Sequence, residues 1–252
     1  MIALEFPPVS HLIEWPNMFN TDGPFAINKI VLLFWISAVI TFAVLFIASR
    51  KRELVPTGIQ NVGEAVVDFV EDGIIMQTMG PSGLPFLPFL VTLFSYILVL
   101  NFWGIIPGIQ MPPNARIALP AFLGILVWLI YNIAGIASQG FFGYFKGIMF
   151  PPGVPKPIYI LIAPIEFISV ILVRPLSLAV RLFANMLAGH LILASFAILS
   201  AALFEATIVG AIAPGALLVA LTGFEVLVAF LQAYIFTILA AVFIGGAMHP
   251  EH

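Results

Sequence analysis

Cysteine is absent from this chain and charge is scarce, with nine Lys and Arg and twelve Asp and Glu making up only 8% of 252 residues. The first absence excludes disulfides, thiolate nucleophiles and cysteine-ligated metals. The second excludes a soluble domain, which carries about 25% charged residues to cover its water-facing surface. The few Lys and Arg form no patch, so nucleic-acid binding has no footing. Four histidines without paired spacing argue against a metal or haem site. No P-loop, HExxH or GxSxG pattern occurs, and no cofactor site or enzyme active site is expected. Low-complexity tracts and a convincing internal repeat are also missing. The first basic residue is Lys29, after an acidic, proline-interrupted opening, so no cleaved secretory signal is read.

What the chain does have is hydrophobicity, 62% by composition with a mean hydropathy of +1.15. That predicts an all-α polytopic membrane protein, a single membrane domain over 1–252, with room for five or six helices. Residues 1–28 read as an extramembrane lead-in and 29–49 as the first span, ending at Arg50-Lys51-Arg52. Over 56–80, Ile59, Val62, Val66, Phe69, Val70 and Ile74 recur at helical spacing, with Glu64, Asp68, Glu71 and Asp72 elsewhere on the wheel. This pattern predicts an amphipathic interfacial helix whose acidic face is either solvated or docked on partner subunits. A two-span hairpin follows over 84–138, with spans at 84–107 and 117–138, and then a connection over 139–157. The last part, 158–247, reads as two long apolar helices (158–200 and 214–247) broken near Glu205 and Gly210–Pro214–Gly215. Both exceed the ~20 residues of a perpendicular span, so strong tilt is expected. Arg50, Lys51, Arg52, Lys146 and Lys156 fall on one side and Lys29 and Arg116 on the other. The positive-inside rule then places the N-terminus outside and the C-terminus inside.

Within this apolar background Arg181 stands out. A guanidinium at the bilayer centre costs roughly 2.5–3.5 kcal/mol on insertion scales. It cannot shed its proton, so the charge is fixed and points to an ion pathway. At ~100° per residue, Arg174, Arg181 and Asn185 share a stripe, with His190 near the opposite side. Glu225 and Gln232, seven apart, share a stripe on the final helix. Of these groups, Glu225 and His190 are the ones able to take and give a proton near neutrality. Bland readings compete at each position. Arg174 precedes Pro175 and could snorkel or cap, Asn185 could be interhelical hydrogen-bond glue, and His190 a satisfied interior histidine. Glu166 could be an interfacial carboxylate, and Tyr234, like Ser177 and Thr222, packing or backbone bonding. For Arg181 the competitor is a buried ion pair with Glu225, itself costlier than an apolar replacement.

The run Arg181-Leu182-Phe183-Ala184-Asn185-Met186-Leu187-Ala188-Gly189-His190 carries a family resemblance. With Leu221-Thr222-Gly223-Phe224-Glu225, Leu231-Gln232-Ala233-Tyr234-Ile235-Phe236 and Asn101-Phe102-Trp103-Gly104-Ile105-Ile106-Pro107, it resembles subunit a (subunit 6) of the rotary ATP synthase. The resemblance covers about 55–247. It implies two long near-horizontal helices curving around a ring of c subunits, with b-type subunits of a peripheral stalk as further partners. Two proton half-channels would lead to the ring carboxylates. Arg181 matches the arginine facing the ring, Asn185 and Gln232 its polar neighbours, and Glu225 and His190 the half-channel on the positive side. Some bacterial relatives carry the last two residue types the other way round. The order here resembles the alphaproteobacterial and mitochondrial branch, which implies a bacterial or mitochondrial inner membrane. Glu166 departs from the family pattern, which sets its acidic residue one position closer to the arginine. The extra residue is expected to turn it away by about 100°. A stand-alone ion-coupled transporter and a non-transporting membrane scaffold are the alternatives. The first lacks the inverted repeat many transporters show, and the second leaves two charged seams without a use.

Overall fold

The computed structural model describes residues 17–19, 27–50, 57–106, 109, 112–150 and 158–248. Lys51, Arg52, Lys156 and most of the expected lead-in lie outside the described residues. Two short strands, β1 (Asn17–Phe19) and β2 (Ile27–Asn28), pair antiparallel. The rest is dominated by helix. In chain order come α1 (Lys29–Arg50), α2 (Ile59–Val70), a π turn (Glu71–Ile75), α3 (Met76–Thr78), a 3-10 run (Gly80–Phe86) and α4 (Leu87–Phe102). Then follow α5 (Ala118–Gln139), α6 (Phe141–Met149), α7 (Tyr159–Ile168), a second π turn (Ser169–Val173), α8 (Arg174–Ala206) and α9 (Ile208–Met248). Among the described residues, five runs are long and apolar enough to cross a membrane. They are Lys29–Arg50, Gly80–Phe102, Ala118–Gln139, Tyr159–Phe204 and Val209–Met248. In α1, Trp35 and Phe42 remain 63% and 69% exposed. Such an apolar surface, left uncovered, suits lipid rather than water.

Three expectations need correction. The connection 139–157 contains a helix, α6. Gly140, at φ 74°, ends α5 and lets the chain restart at once, and Tyr144 buries its ring to anchor the new helix. The break between the long helices is narrow, falling at Thr207, whose N–H still donates to Leu203 O at 2.8 Å. Pro214 lies inside α9, as membrane helices tolerate. The amphipathic segment also packs by an unexpected edge. Gln60 and Gly63 are buried with Val70 and Ile74, while Ile59 and Val62 stay exposed. Gly63 admits Ala48 where a side chain would collide. Close approach, rather than hydrophobicity alone, selects that face.

The contacts fall into two compact units. One comprises Met1–Leu45, Ser95–Arg116 and Phe183–Ala233. In it, Trp103 Nε1 donates to Ser37 Oγ at 2.7 Å, and Tyr96 OH reaches Phe34 O at 3.4 Å. The other comprises Phe46–Phe94, Ile117–Leu182 and Tyr234–His252. There, Phe69 packs on Phe94 and on Tyr234 at ring separations of 5.4 and 5.6 Å. Gly124 of α5 lies so close to α8 that a Cβ would stand 2.8 Å from the Pro175 carbonyl oxygen.

Candidate functional site

In α8, Leu178, Ala179, Leu182 and Met186 are buried, which fixes the phase of the helix. Ser177, Val180, Arg181, Ala184, Asn185 and Ala188 fall on the exposed side at i, i+3, i+4 spacing. Arg181 therefore projects outward from the middle of a stripe otherwise made of small or neutral residues. Among the described residues it has no ion-pair or hydrogen-bond partner. His190 stands one turn beyond Met186 and is half-buried.

The unit containing Phe183–Ala233 brings two of the predicted groups together. Asn185 Nδ2 donates to Gln232 Oε1 at 2.6 Å. Gln232 is 2% exposed, and its Nε2 has no acceptor among the described residues. Glu225 folds its carboxylate against the backbone of Gly189, into the space a Cβ there would take. The glycine thus opens the seat for the carboxylate next to His190 in the chain. Two residues whose roles the sequence left unread support this part of α9. Asn101 Nδ2 donates to Ala229 O at 3.1 Å, and Asn114 Nδ2 to Asn101 Oδ1 at 2.7 Å. Both asparagines are essentially fully buried. Asn101 could have been found as a polar side chain inside an apolar span. Asn114, in the turn between spans, gave no such signal.

The other unit holds Glu166, Arg174, Arg181 and Tyr234. Glu166 and Arg174 form an ion pair at 3.5 Å, and Arg174 lies 5.2 Å from the centre of the Phe243 ring. The pair borders a cavity of about 160 Å³, shared with Gln139, Tyr144, Val170 and Ala247. That is ample for several waters. Tyr144 OH donates to Asn132 Oδ1 at 3.0 Å. Burial pushes its phenol above the ordinary range, against the opposing Arg174 charge, and the group stays a donor.

The pairing depends on the π turn Ser169–Val173. Eight residues of regular α-helix would leave Glu166 and Arg174 about 80° apart. A wider turn takes up one extra residue and takes that angle back. The π turn thus offsets the rotation that one additional residue before Arg181 would otherwise give Glu166. Tyr234 packs on Phe69. Among the described residues, no group of three or more His, Asp or Glu is placed to hold a metal.

The family model described as "ATP synthase A chain" matches residues 31–245. A protein named ATP synthase subunit a from a Nocardioides species is 40% identical over 98% of this chain and 94% of its own length. One of the same name from Rhodococcus erythropolis is 40% identical over 94% of this chain and 88% of its own length. The corresponding protein of the alphaproteobacterium Maricaulis maris is 41% identical, covering 86% of each.

Proposed function

The chain belongs to the ATP synthase A chain family, and from that premise we propose that Arg181 is the fixed charge past which the carboxylates of a c-subunit ring move. The protein is the proton-translocating stator subunit of the membrane sector, a multi-pass membrane protein with no catalytic site of its own. One observation carries the role of Arg181: an exposed guanidinium without a described partner, at the centre of a small-residue stripe, inside a 46-residue apolar run. Ser177, Ala184 and Ala188 permit close approach by another helix. A carboxylate brought there is driven to ionise, because a neighbouring cation favours its charged form. Once protonated it is neutral and crosses lipid cheaply.

Proton access from the positive side runs by Glu225 and His190, with Asn185 and Gln232 flanking the ring contact. Release on the inner side runs by the cavity at Glu166 and Arg174, whose open water space and paired charges suit a proton exit. The runs of 46 and 40 residues would measure roughly 69 and 60 Å at ~1.5 Å per residue, against ~30 Å of hydrocarbon. They therefore lie steeply tilted, curving along the ring. The N-terminus is outside, the C-terminus inside, and α2 rests on the inner surface, where b-type subunits of the peripheral stalk complete the stator. Each charge moved through the potential supplies about 2.3 kcal/mol per 100 mV. The test is ATP-driven proton pumping in inverted membrane vesicles. Arg181→Ala abolishes it, and Arg181→Lys is a poor substitute because an ammonium in an apolar contact can lose its proton. Near-normal pumping by the alanine variant overturns the assignment.

A further inference from the structure

The π turn beneath Glu166 has an unusual supplier for one of its backbone bonds. Arg174 N–H donates to Ser169 O, five residues back. The next donor in that register would serve Val170 O, and it belongs to residue 175. That residue is proline, which has no N–H. Val170 is 3% exposed, so water does not make good the loss. The bond comes from another helix: Tyr131 OH, on α5, donates to Val170 O. Tyr131 is fully buried, with the Phe243 ring 6.0 Å away. The close approach of Gly124 to Pro175 O holds α5 at this distance two turns earlier.

We infer that Tyr131 is a positioning residue for proton release. Its hydroxyl stands in for the N–H that Pro175 lacks, keeps Ser169–Val173 wide, and so holds Glu166 beside Arg174 at the cavity. The inference rests on reading that cavity as the inner exit. Without the hydroxyl, Val170 O is a buried acceptor with no donor, a state the helix relieves by tightening to the ordinary four-residue register. Tightening shifts the phase by one residue, a swing of about 100° that leaves Glu166 and Arg174 about 80° apart.

Tyr131→Phe keeps the ring and its packing and deletes the donor alone. In inverted vesicles matched for subunit and ring content, its ATP-driven pumping falls about fivefold, the scale of one net hydrogen bond. The deciding variant is Tyr131→Phe with Pro175→Ala, which returns an N–H at position 175. It recovers most of the lost pumping, a rescue that a residue serving only as filler would not show. If Tyr131→Phe fails to accumulate in membranes, the double variant restores its accumulation. Full pumping by Tyr131→Phe overturns the inference, and so does a double variant no better than the single. Arg181→Ala in the same assay separates the two failures. If it pumps, the subunit assignment falls; if it does not, and the rescue is missing, only the role of Tyr131 falls.

Discussion

A single missing side chain defines the seat of the one carboxylate on α9. Glu225 occupies the volume where a Cβ at Gly189 would stand, so the smallest possible substitution is already a collision. Gly189→Ala must push the carboxylate out of its seat against the Gly189 backbone, and it should slow coupled ATP synthesis severalfold with the subunit still assembled. If proton exchange at Glu225 is the proposed access step, Glu225→Gln, which cannot ionise, should produce a comparable loss. Shortening the acid tests the geometry: Gly189→Ala with Glu225→Asp vacates the contested space and should regain part of the rate. Rates of ATP synthesis in vesicles with equal subunit content check all three. A fully active Gly189→Ala variant would mean the carboxylate works from elsewhere.

At the level of elements, the interior is set by where backbones come close. Gly124 faces a carbonyl oxygen, which cannot rotate away as a side chain could. Gly124→Leu therefore separates α5 from α8 and should cost about 1–3 kcal/mol, typical of overpacking. The fall would appear as a lower denaturation midpoint of the purified complex in detergent. An unchanged midpoint would show that this approach contributes nothing. Such contacts also explain what the sequence does and does not disclose. Long apolar runs announce α1, α4, α5, α8 and α9, because lipid leaves the backbone few alternatives to helix. Arg181 and Glu225 are legible because charge is expensive there. The bond from Asn185 to Gln232 is not, since each stripe can be read from its own helix but the pairing of stripes is tertiary. The same holds for the π turn. An extra residue between Glu166 and Arg181 is visible in the sequence, yet only Tyr131 and Pro175, far apart in the chain, reveal how the helix absorbs it. The short α6 escapes for a similar reason: its few turns depend on burying Tyr144.

For the whole molecule, the central problem is passing protons to a moving ring without letting them run straight across the membrane. A water path that reached Arg181 from either face would meet an unneutralised positive charge, since among the described residues no carboxylate pairs with it. That charge repels a hydrated proton and cannot relay one, because arginine does not give up its own. Removing the charge while retaining the ring should therefore turn a coupled device into a passive conductor. Membranes are stripped of the soluble catalytic sector, a potential is imposed, and proton flux is recorded with Arg181 and with Arg181→Ala at equal amounts of subunit and ring. The variant should conduct faster, although it no longer supports pumping. A flux equal to that of the unaltered protein would mean that apolar packing alone closes the membrane. Arg181 would then serve only to ionise each carboxylate as it passes.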